Sequence, residues 1–321
     1  MVKLVVQIPC HNEAETLPEV LAAIPRQIEG VDLIETLVID DGSTDGTAEV
    51  ARAHGADHVV TSRKNRGLAR SFRLGLDTAL QLDADVIVNT DGDNQYVGAD
   101  IAALVRPILE GQADVVVGDR QTASIESFSV LKRFLQRWGS SVVSRFSEVE
   151  IPDAVSGFRA YSREAALDTN VVSSFSYTIE TLIQAGRKHH KVVSVPVRVN
   201  PVTRPSRLFR SIPQFMTRSV GTLLRIYNMY QPLKVYLYLG GLLILVGAAP
   251  IVRFLVYYLM GQGDGKLQSL LLGSVLVILG AVALMFGLLA DLMNFNRQLA
   301  EMTLERLRRL ESDLGKRRDH P

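Results

Sequence analysis

Val86-Ile87-Val88-Asn89-Thr90-Asp91-Gly92-Asp93-Asn94-Gln95 joins a short apolar run to a cluster of oxygen-bearing side chains. A continuous rather than alternating apolar run ahead of a turn reads as a strand covered on both faces. Beyond it, Asp91, Asp93 and Gln95 set two carboxylates and an amide oxygen on alternate residues of an extended segment. That donor set suits a hard divalent ion such as Mg²⁺ or Mn²⁺ and leaves coordination positions for phosphate. A calcium EF-hand is excluded, because Tyr96 stands where that loop needs glycine.

Working outward, similar runs occupy residues 4–8, 36–39, 58–61 and 114–117, with a later one at 192–199. Helical patterns fill the intervals at 15–24, 47–54, 68–82 and 101–109. Strands alternating with helices predict an α/β domain with a mostly parallel sheet, and in such sheets ligands bind beyond the C-terminal ends of the strands. Polar clusters lie at those ends: Pro9-Cys10-His11-Asn12-Glu13 after the first strand, Asp40-Asp41-Gly42-Ser43-Thr44-Asp45-Gly46-Thr47 after the second, and the Asp91 cluster after the fourth. A DxD in isolation is most often a surface turn; three polar clusters in register at one sheet edge favour chemistry. Ser43, Thr44 and Asp45 read first as the start of a helix.

The chain has 321 residues and a formal net charge of +1, enough for one α/β domain and an appendage. The balance hides an asymmetry: residues 181–263 contain no Asp or Glu, yet carry Arg187, Lys188, Lys191, Arg198, Arg204, Arg207, Arg210, Arg218, Arg225 and Lys234. The run leads into apolar segments at 235–259 and 267–289, so its expected partner is an anionic lipid surface or a phosphorylated lipid rather than nucleic acid. Each segment is long enough to cross about 30 Å of hydrocarbon, and the six residues GQGDGK between them allow only a tight hairpin. Arg253, near the far end of the first span, is placed to snorkel toward the headgroups. Cationic residues on one side and a nearly neutral loop on the other predict that the N-terminal domain and the C-terminal tail are cytoplasmic. The expected organisation is a catalytic domain at 1–200, a basic loop and interfacial helices at 201–232, a membrane hairpin at 233–290, and an amphipathic helical tail at 291–321 that offers a surface for pairing with a second copy. Cys10 is the sole cysteine, which excludes an intrachain disulfide. The N-terminus has too short an apolar stretch for a signal peptide.

Taken together, Pro9-Cys10-His11-Asn12-Glu13, the Asp40 to Thr47 cluster, Asn65-Arg66-Gly67, Asp91-Gly92-Asp93-Asn94-Gln95 and Ser156-Gly157-Phe158-Arg159 resemble the family 2 glycosyltransferases. The similarity spans roughly residues 1–210 and, more narrowly, is to the branch that resembles dolichol-phosphate mannosyltransferase and the bacterial polyprenyl-phosphate glycosyltransferases. The resemblance implies a GT-A type nucleotide-sugar-binding domain, a UDP- or GDP-sugar donor and inverting hexosyl transfer. It implies that Pro9, His11, Glu13 and Asp40 or Asp41 hold the nucleotide, and that Asp91, Asp93 and Gln95 bind the metal bridging its diphosphate. Arg120 and Arg133, with Arg137 as the substitute for the latter, would meet an acceptor phosphate. Arg204 and Arg207 stand where the family has a mobile basic loop over the diphosphate, although the Gly and Lys often found in that loop are missing here.

An acceptor phosphate is already largely dianionic at neutral pH, with a second pKa of about 6, and needs no strong general base; an acceptor hydroxyl needs one. The arginines therefore favour a polyprenyl phosphate acceptor, with a lipid hydroxyl or a growing polysaccharide as the alternative. Against polysaccharide elongation, no QxxRW signature is present, Gln136-Arg137-Trp138 being only a fragment. Against a dinucleotide-dependent oxidoreductase, no GxGxxG follows the first strand.

Overall fold

The computed structural model describes residues 1–121, 151–171, 177–201, 228, 231–261 and 267–319. Arg133, Arg137, Arg204, Arg207, nearly all of the expected interfacial helices and the hairpin turn at 262–266 lie outside the described residues. The chain divides into two compact units, one of residues 1–205 and 305–321, the other of residues 206–304.

In the first unit seven strands form one sheet: β1 (Lys3–Cys10), β2 (Leu33–Asp40), β3 (His58–Thr61), β4 (Val86–Asn89), β5 (Val115–Asp119), β6 (Arg159–Ser162) and β7 (Val192–Pro196), in the order β3-β2-β1-β4-β6-β5-β7. β1, β2, β3 and β4 run parallel, as do β5 and β7. Only β6 is antiparallel to its neighbours, β4 and β5. The apolar runs of β1 and β4 are buried throughout, because helices cover both faces of the sheet.

Four helices alternate with the parallel strands: α1 (Leu17–Ala23), α2 (Thr47–Ala53), α3 (Leu68–Gln81) and α4 (Ile101–Leu109). α3 shows how their sequence seats them: Ala69, Phe72, Leu76, Ala79 and Leu80 recur at three- and four-residue intervals and are all buried. Two more helices, α5 (Arg163–Asp168) and α6 (Tyr177–Arg187), follow β6. α5 is started by Ser162, whose Oγ accepts the Ala165 N–H at 3.2 Å.

The second unit is built on α7 (Pro232–Leu259) and on α8 (Leu267–Asp319), whose last residues belong to the first unit. α8 runs without interruption through the expected second span and the expected tail. Both helices are long and apolar enough to cross a membrane. Leu237, Tyr238, Leu245 and Leu259 of α7 and Leu272, Ile278 and Met285 of α8 are exposed. The two helices touch backbone to backbone at glycine pairs seven residues apart. A Cβ on Gly240 would stand 2.7 Å from the Gly280 carbonyl oxygen, and one on Gly273 2.6 Å from that of Gly247. Within the first unit, the end of α8 bonds through Arg308 to Asp77 at 2.8 Å and to the Thr169 carbonyl at 2.8 Å, and through Arg309 to Asp168 at 3.0 Å.

Candidate active site

Register brings the three polar clusters to one edge. Cys10 pairs with Asp40 across β1 and β2, and Gln7 with Asn89 across β1 and β4, so residues 11–13, 41–47 and 90–95 all leave the sheet side by side.

The first two clusters are laced together by hydrogen bonds. Asn12 sits at φ +56°, its N–H donates to Ser43 Oγ at 2.9 Å, and its Oδ1 accepts the Thr44 N–H at 2.8 Å. The Glu13 N–H donates to Thr47 Oγ1 at 3.0 Å and the Ala14 N–H to Asp45 Oδ2 at 3.1 Å. Ser43, Thr44 and Asp45 thus do more than begin α2. His11 Nδ1 lies 3.0 Å from the Asp41 carbonyl oxygen, which fixes the ring over the strand ends.

Asp40 and Asp41, equivalent in the sequence, differ in the fold. Asp41 is buried and both its oxygens accept backbone N–H groups, from Arg66 at 2.8 Å and Gly67 at 2.7 Å. It holds the loop that enters α3, and Gly42 lets that loop close: at φ +67°, a Cβ there would meet the Lys64 backbone carbon at 2.5 Å. Asp40 is also buried, but only its Oδ1 is engaged, by the Ser43 N–H at 3.1 Å, and Oδ2 has no partner among the described residues.

Around the DxD, Asp91 and Asp93 are half-buried. Burial, and next the charge of Asp93, push the Asp91 carboxyl up to about 7, although Arg120 works against the rise. Asp93 Oδ1 accepts the Gln95 N–H at 3.1 Å, which shapes the turn. Gly92 packs on Cys10, whose Sγ would be 2.7 Å from an added Cβ, and Thr16 Oγ1 donates to the Gly92 carbonyl at 2.7 Å. Beneath the DxD lies a buried polar network absent from the sequence reading. Asn89 accepts from Gln7 at 2.9 Å, and donates to the Gly157 carbonyl at 2.8 Å and to the Tyr177 hydroxyl at 3.2 Å, while the Gly157 N–H donates to the Tyr96 hydroxyl at 3.2 Å. Gly157 lets these groups approach closely: a Cβ would stand 2.8 Å from the Tyr177 oxygen and 3.1 Å from Asp91 Oδ2.

Arg120, at the end of β5, donates through Nε and Nη2 to Asp153 at 2.7 and 3.0 Å. Burial disfavours the guanidinium charge, but the hydrogen bonds that Arg120 donates to Asp153, with the charge of that carboxylate, keep it firmly charged. Arg159, of the SGFR motif, is fully buried and among the described residues donates to neutral acceptors: the carbonyls of Ser156, Ala154 and Thr178 and the Thr181 hydroxyl, at 2.7–2.9 Å. It braces the 154–157 loop against α6 rather than reaching a ligand. Sequence reading missed Asp153, Asn89, Tyr96 and Tyr177; the only signal for the first was an acid three residues ahead of the SGFR motif.

Among the described residues no three His, Cys, Asp or Glu side chains form a ready-made metal cage. Two carboxylates and an amide nonetheless fit a hard divalent ion whose remaining positions are filled by phosphate and water, the usual arrangement for Mg²⁺. The upward push on Asp91 by its neighbour is the like-charge crowding that a bound cation would relieve.

A mostly parallel sheet with acidic clusters at the C-terminal ends of its strands places the ligand crevice of this α/β domain at that edge. Residues 5–168 match the family described as Glycosyl transferase family 2, and the chain belongs to that family. Over 314 residues it is 28% identical to the glycosyltransferase AglJ of Haloferax volcanii, covering 94% of this chain and 95% of that one. It is also 26% identical over 200 residues to the undecaprenyl-phosphate mannosyltransferase of Micrococcus luteus, covering 59% and 80% of the two chains. In fold it is similar to glucosyl-3-phosphoglycerate synthase from Mycobacterium tuberculosis, crystallised with Mn²⁺, UDP and phosphoglyceric acid, at a TM-score of 0.54 and 21% identity over 71% of this chain and 78% of that one.

Proposed function

We propose that the protein transfers a hexose from a UDP- or GDP-sugar, with inversion, to a polyprenyl phosphate such as dolichyl or undecaprenyl phosphate at the cytoplasmic face of a membrane. The observation that carries this reading is the juxtaposition, in one chain, of the Asp91–Asp93 pair with a firmly charged Arg120 and of two apolar helices of membrane-spanning length. A relative named as an undecaprenyl-phosphate mannosyltransferase supports the choice of acceptor.

In this reading Pro9, His11 and Glu13 line the nucleotide and Asp40 Oδ2, the acceptor left over by the fold, reads it, while Asp41 acts indirectly by holding the loop at Arg66 and Gly67. Asp91, Asp93 and Gln95 would hold Mg²⁺ or Mn²⁺, which when bound would supply positive charge to offset that of the leaving nucleoside diphosphate. Arg120, kept charged and aimed by Asp153, meets the acceptor phosphate together with Arg133 or Arg137, and offsets the repulsion between that dianion and the acidic cluster. A phosphate oxygen, already deprotonated, attacks the anomeric carbon directly, so no side chain has to remove a proton. Arg204 and Arg207 close over the diphosphate and exclude water. The apolar helices keep the site at the bilayer, where the lipid acceptor is.

Incubating the purified full-length protein with polyprenyl phosphate, Mn²⁺ or Mg²⁺ and a panel of UDP- and GDP-sugars, then analysing lipids by mass spectrometry, tests the reading. A glycosyl phosphoprenol is the expected product. A sugar found only on lipid hydroxyls, or product formed equally well in EDTA, would overturn it.

A further inference from the structure

The ladder of β7 with β5 ends at Asp119 and Pro196, yet the chain beyond it stays attached to the sheet edge by a second, smaller pairing. Tyr96 bridges Val199 in antiparallel sense, and the Val97 N–H donates to the Arg198 carbonyl at 3.4 Å. Arg198 pairs with Asp100, Nη2 to Oδ1 at 2.6 Å. This strip lies against the metal-loop segment itself, and its last contact is made by Asn200.

Asn200 grips that loop by backbone and side chain together. Its N–H donates to the Gln95 carbonyl at 2.9 Å. Its side-chain amide Nδ2 donates to the Asn94 carbonyl at 2.9 Å, to Asn94 Oδ1 at 3.3 Å and to the Tyr96 carbonyl at 3.4 Å. The carbonyls of three consecutive residues, 94, 95 and 96, thus converge on one asparagine. The conformation held there is costly: Asn94 sits at φ +56°, in the left-handed region. Its side chain is tied on the other side, Nδ2 donating to Glu19 Oε2 of α1 at 2.8 Å. Asp93 and Gln95 flank this residue, so their side-chain directions follow from its backbone.

We propose that Asn200 is a positioning residue for the metal-binding loop, setting the directions of Asp93 and Gln95 and thereby the affinity of the site for a divalent ion with a nucleoside diphosphate. The inference rests on the reading of residues 91–95 as the metal site. Partners one shell out from the ligands, when removed, typically cost about 10-fold to 100-fold in metal affinity.

The test uses full-length protein in detergent micelles, with Mn²⁺ as the metal and UDP or GDP as the nucleotide. Free Mn²⁺ is measured by electron paramagnetic resonance, and melting temperature without metal is recorded for each variant. Asn200→Asp keeps the shape and the backbone N–H but turns a donor into a carboxylate facing three acceptor oxygens. It should raise the Mn²⁺ Kd about tenfold or more, with Asn200→Ala intermediate. Arg198→Ala, which loosens the same strip at Asp100 without touching residues 94–96, should lower the melting temperature and leave the Mn²⁺ Kd within about twofold. An unchanged Kd in Asn200→Asp, or an equal weakening by Arg198→Ala, overturns the positioning role while leaving the metal site intact. Failure of the wild-type protein to bind Mn²⁺ with either nucleotide overturns the metal reading itself, and the positioning role with it.

Discussion

The buried carboxylate of Asp153 grips Arg120 along its guanidinium fork, Nε at 2.7 Å and Nη2 at 3.0 Å. Such a bidentate pair fixes the plane of the guanidinium as well as its charge. Removing the acid strands a mostly enclosed cation, so Asp153→Ala should lower stability by about 3 kcal/mol, the low end for a buried pair because Arg120 keeps some access to solvent. Arg120→Ala should cost less than the sum when combined with it, as expected of residues that share one interaction. Denaturant titration of the single and double variants measures this; strict additivity would mean that the pair contributes nothing.

Asp93 has a lighter structural role. Among the described residues its carboxylate accepts one hydrogen bond, from the Gln95 N–H on Oδ1, so Asp93→Ala should cost the fold about 1 kcal/mol or less. The same substitution should abolish sugar transfer and Mn²⁺-dependent retention of UDP or GDP. Near-normal turnover with unaltered metal dependence would remove the DxD from the mechanism.

Asp91 gives the metal-free protein a pH dependence. With the carboxyl pushed up to about 7 from an ordinary 3.8, the folded chain keeps a proton that the unfolded chain has released. The resulting stabilisation is full below about pH 4 and is lost as the pH rises through about 7. Melting temperature without metal should therefore fall across that window, and Asp91→Asn, which cannot ionise, should flatten the fall. Mn²⁺ with UDP or GDP should raise the wild-type midpoint most at the alkaline end, where it no longer competes with the proton. Thermal scans from pH 5 to 8 decide the matter, and parallel profiles for the two proteins would refute it.

In the hairpin, adjacent glycines separate packing from propensity. Gly240→Ala drives a Cβ to 2.7 Å from the Gly280 oxygen and should destabilise the helix pair by about 1–3 kcal/mol. Gly241→Ala meets nothing within 4 Å and should be neutral or stabilising by up to about 1 kcal/mol, since alanine is the better helix former. Thermal inactivation of the two variants in detergent, ranked against wild type, checks the contrast.

Much of this architecture follows from neighbours in the chain. Apolar runs such as Leu4 to Ile8, broken by Gln7 alone, and Val86 to Val88, separated by helical periods, specify a parallel sheet covered on both faces, and with it the edge at which Asp91 and Asp93 emerge. The two lipid-length helices are legible for the same reason, because length and apolar composition are local properties. The expected tail helix merged with the second span, since nothing between them breaks a helix.

What the chain order conceals is partnership across distance. β6 has four residues and no periodicity to betray it; its place between β4 and β5 depends on strands 70 and 42 residues away. No local pattern distinguishes Asp40 from Asp41, because the difference lies in the backbone N–H groups of Arg66 and Gly67 that reach only the second. Nothing in the Ser156 to Arg159 stretch indicates that the Arg159 donors go to the carbonyls of Ser156, Ala154 and Thr178 and to the Thr181 hydroxyl. Asn200, 106 residues from Asn94, carries no signal in the sequence. Local periodicity encodes which faces are apolar; a hydrogen bond depends on which strand ends come to lie side by side, and only the folded sheet brings those ends together.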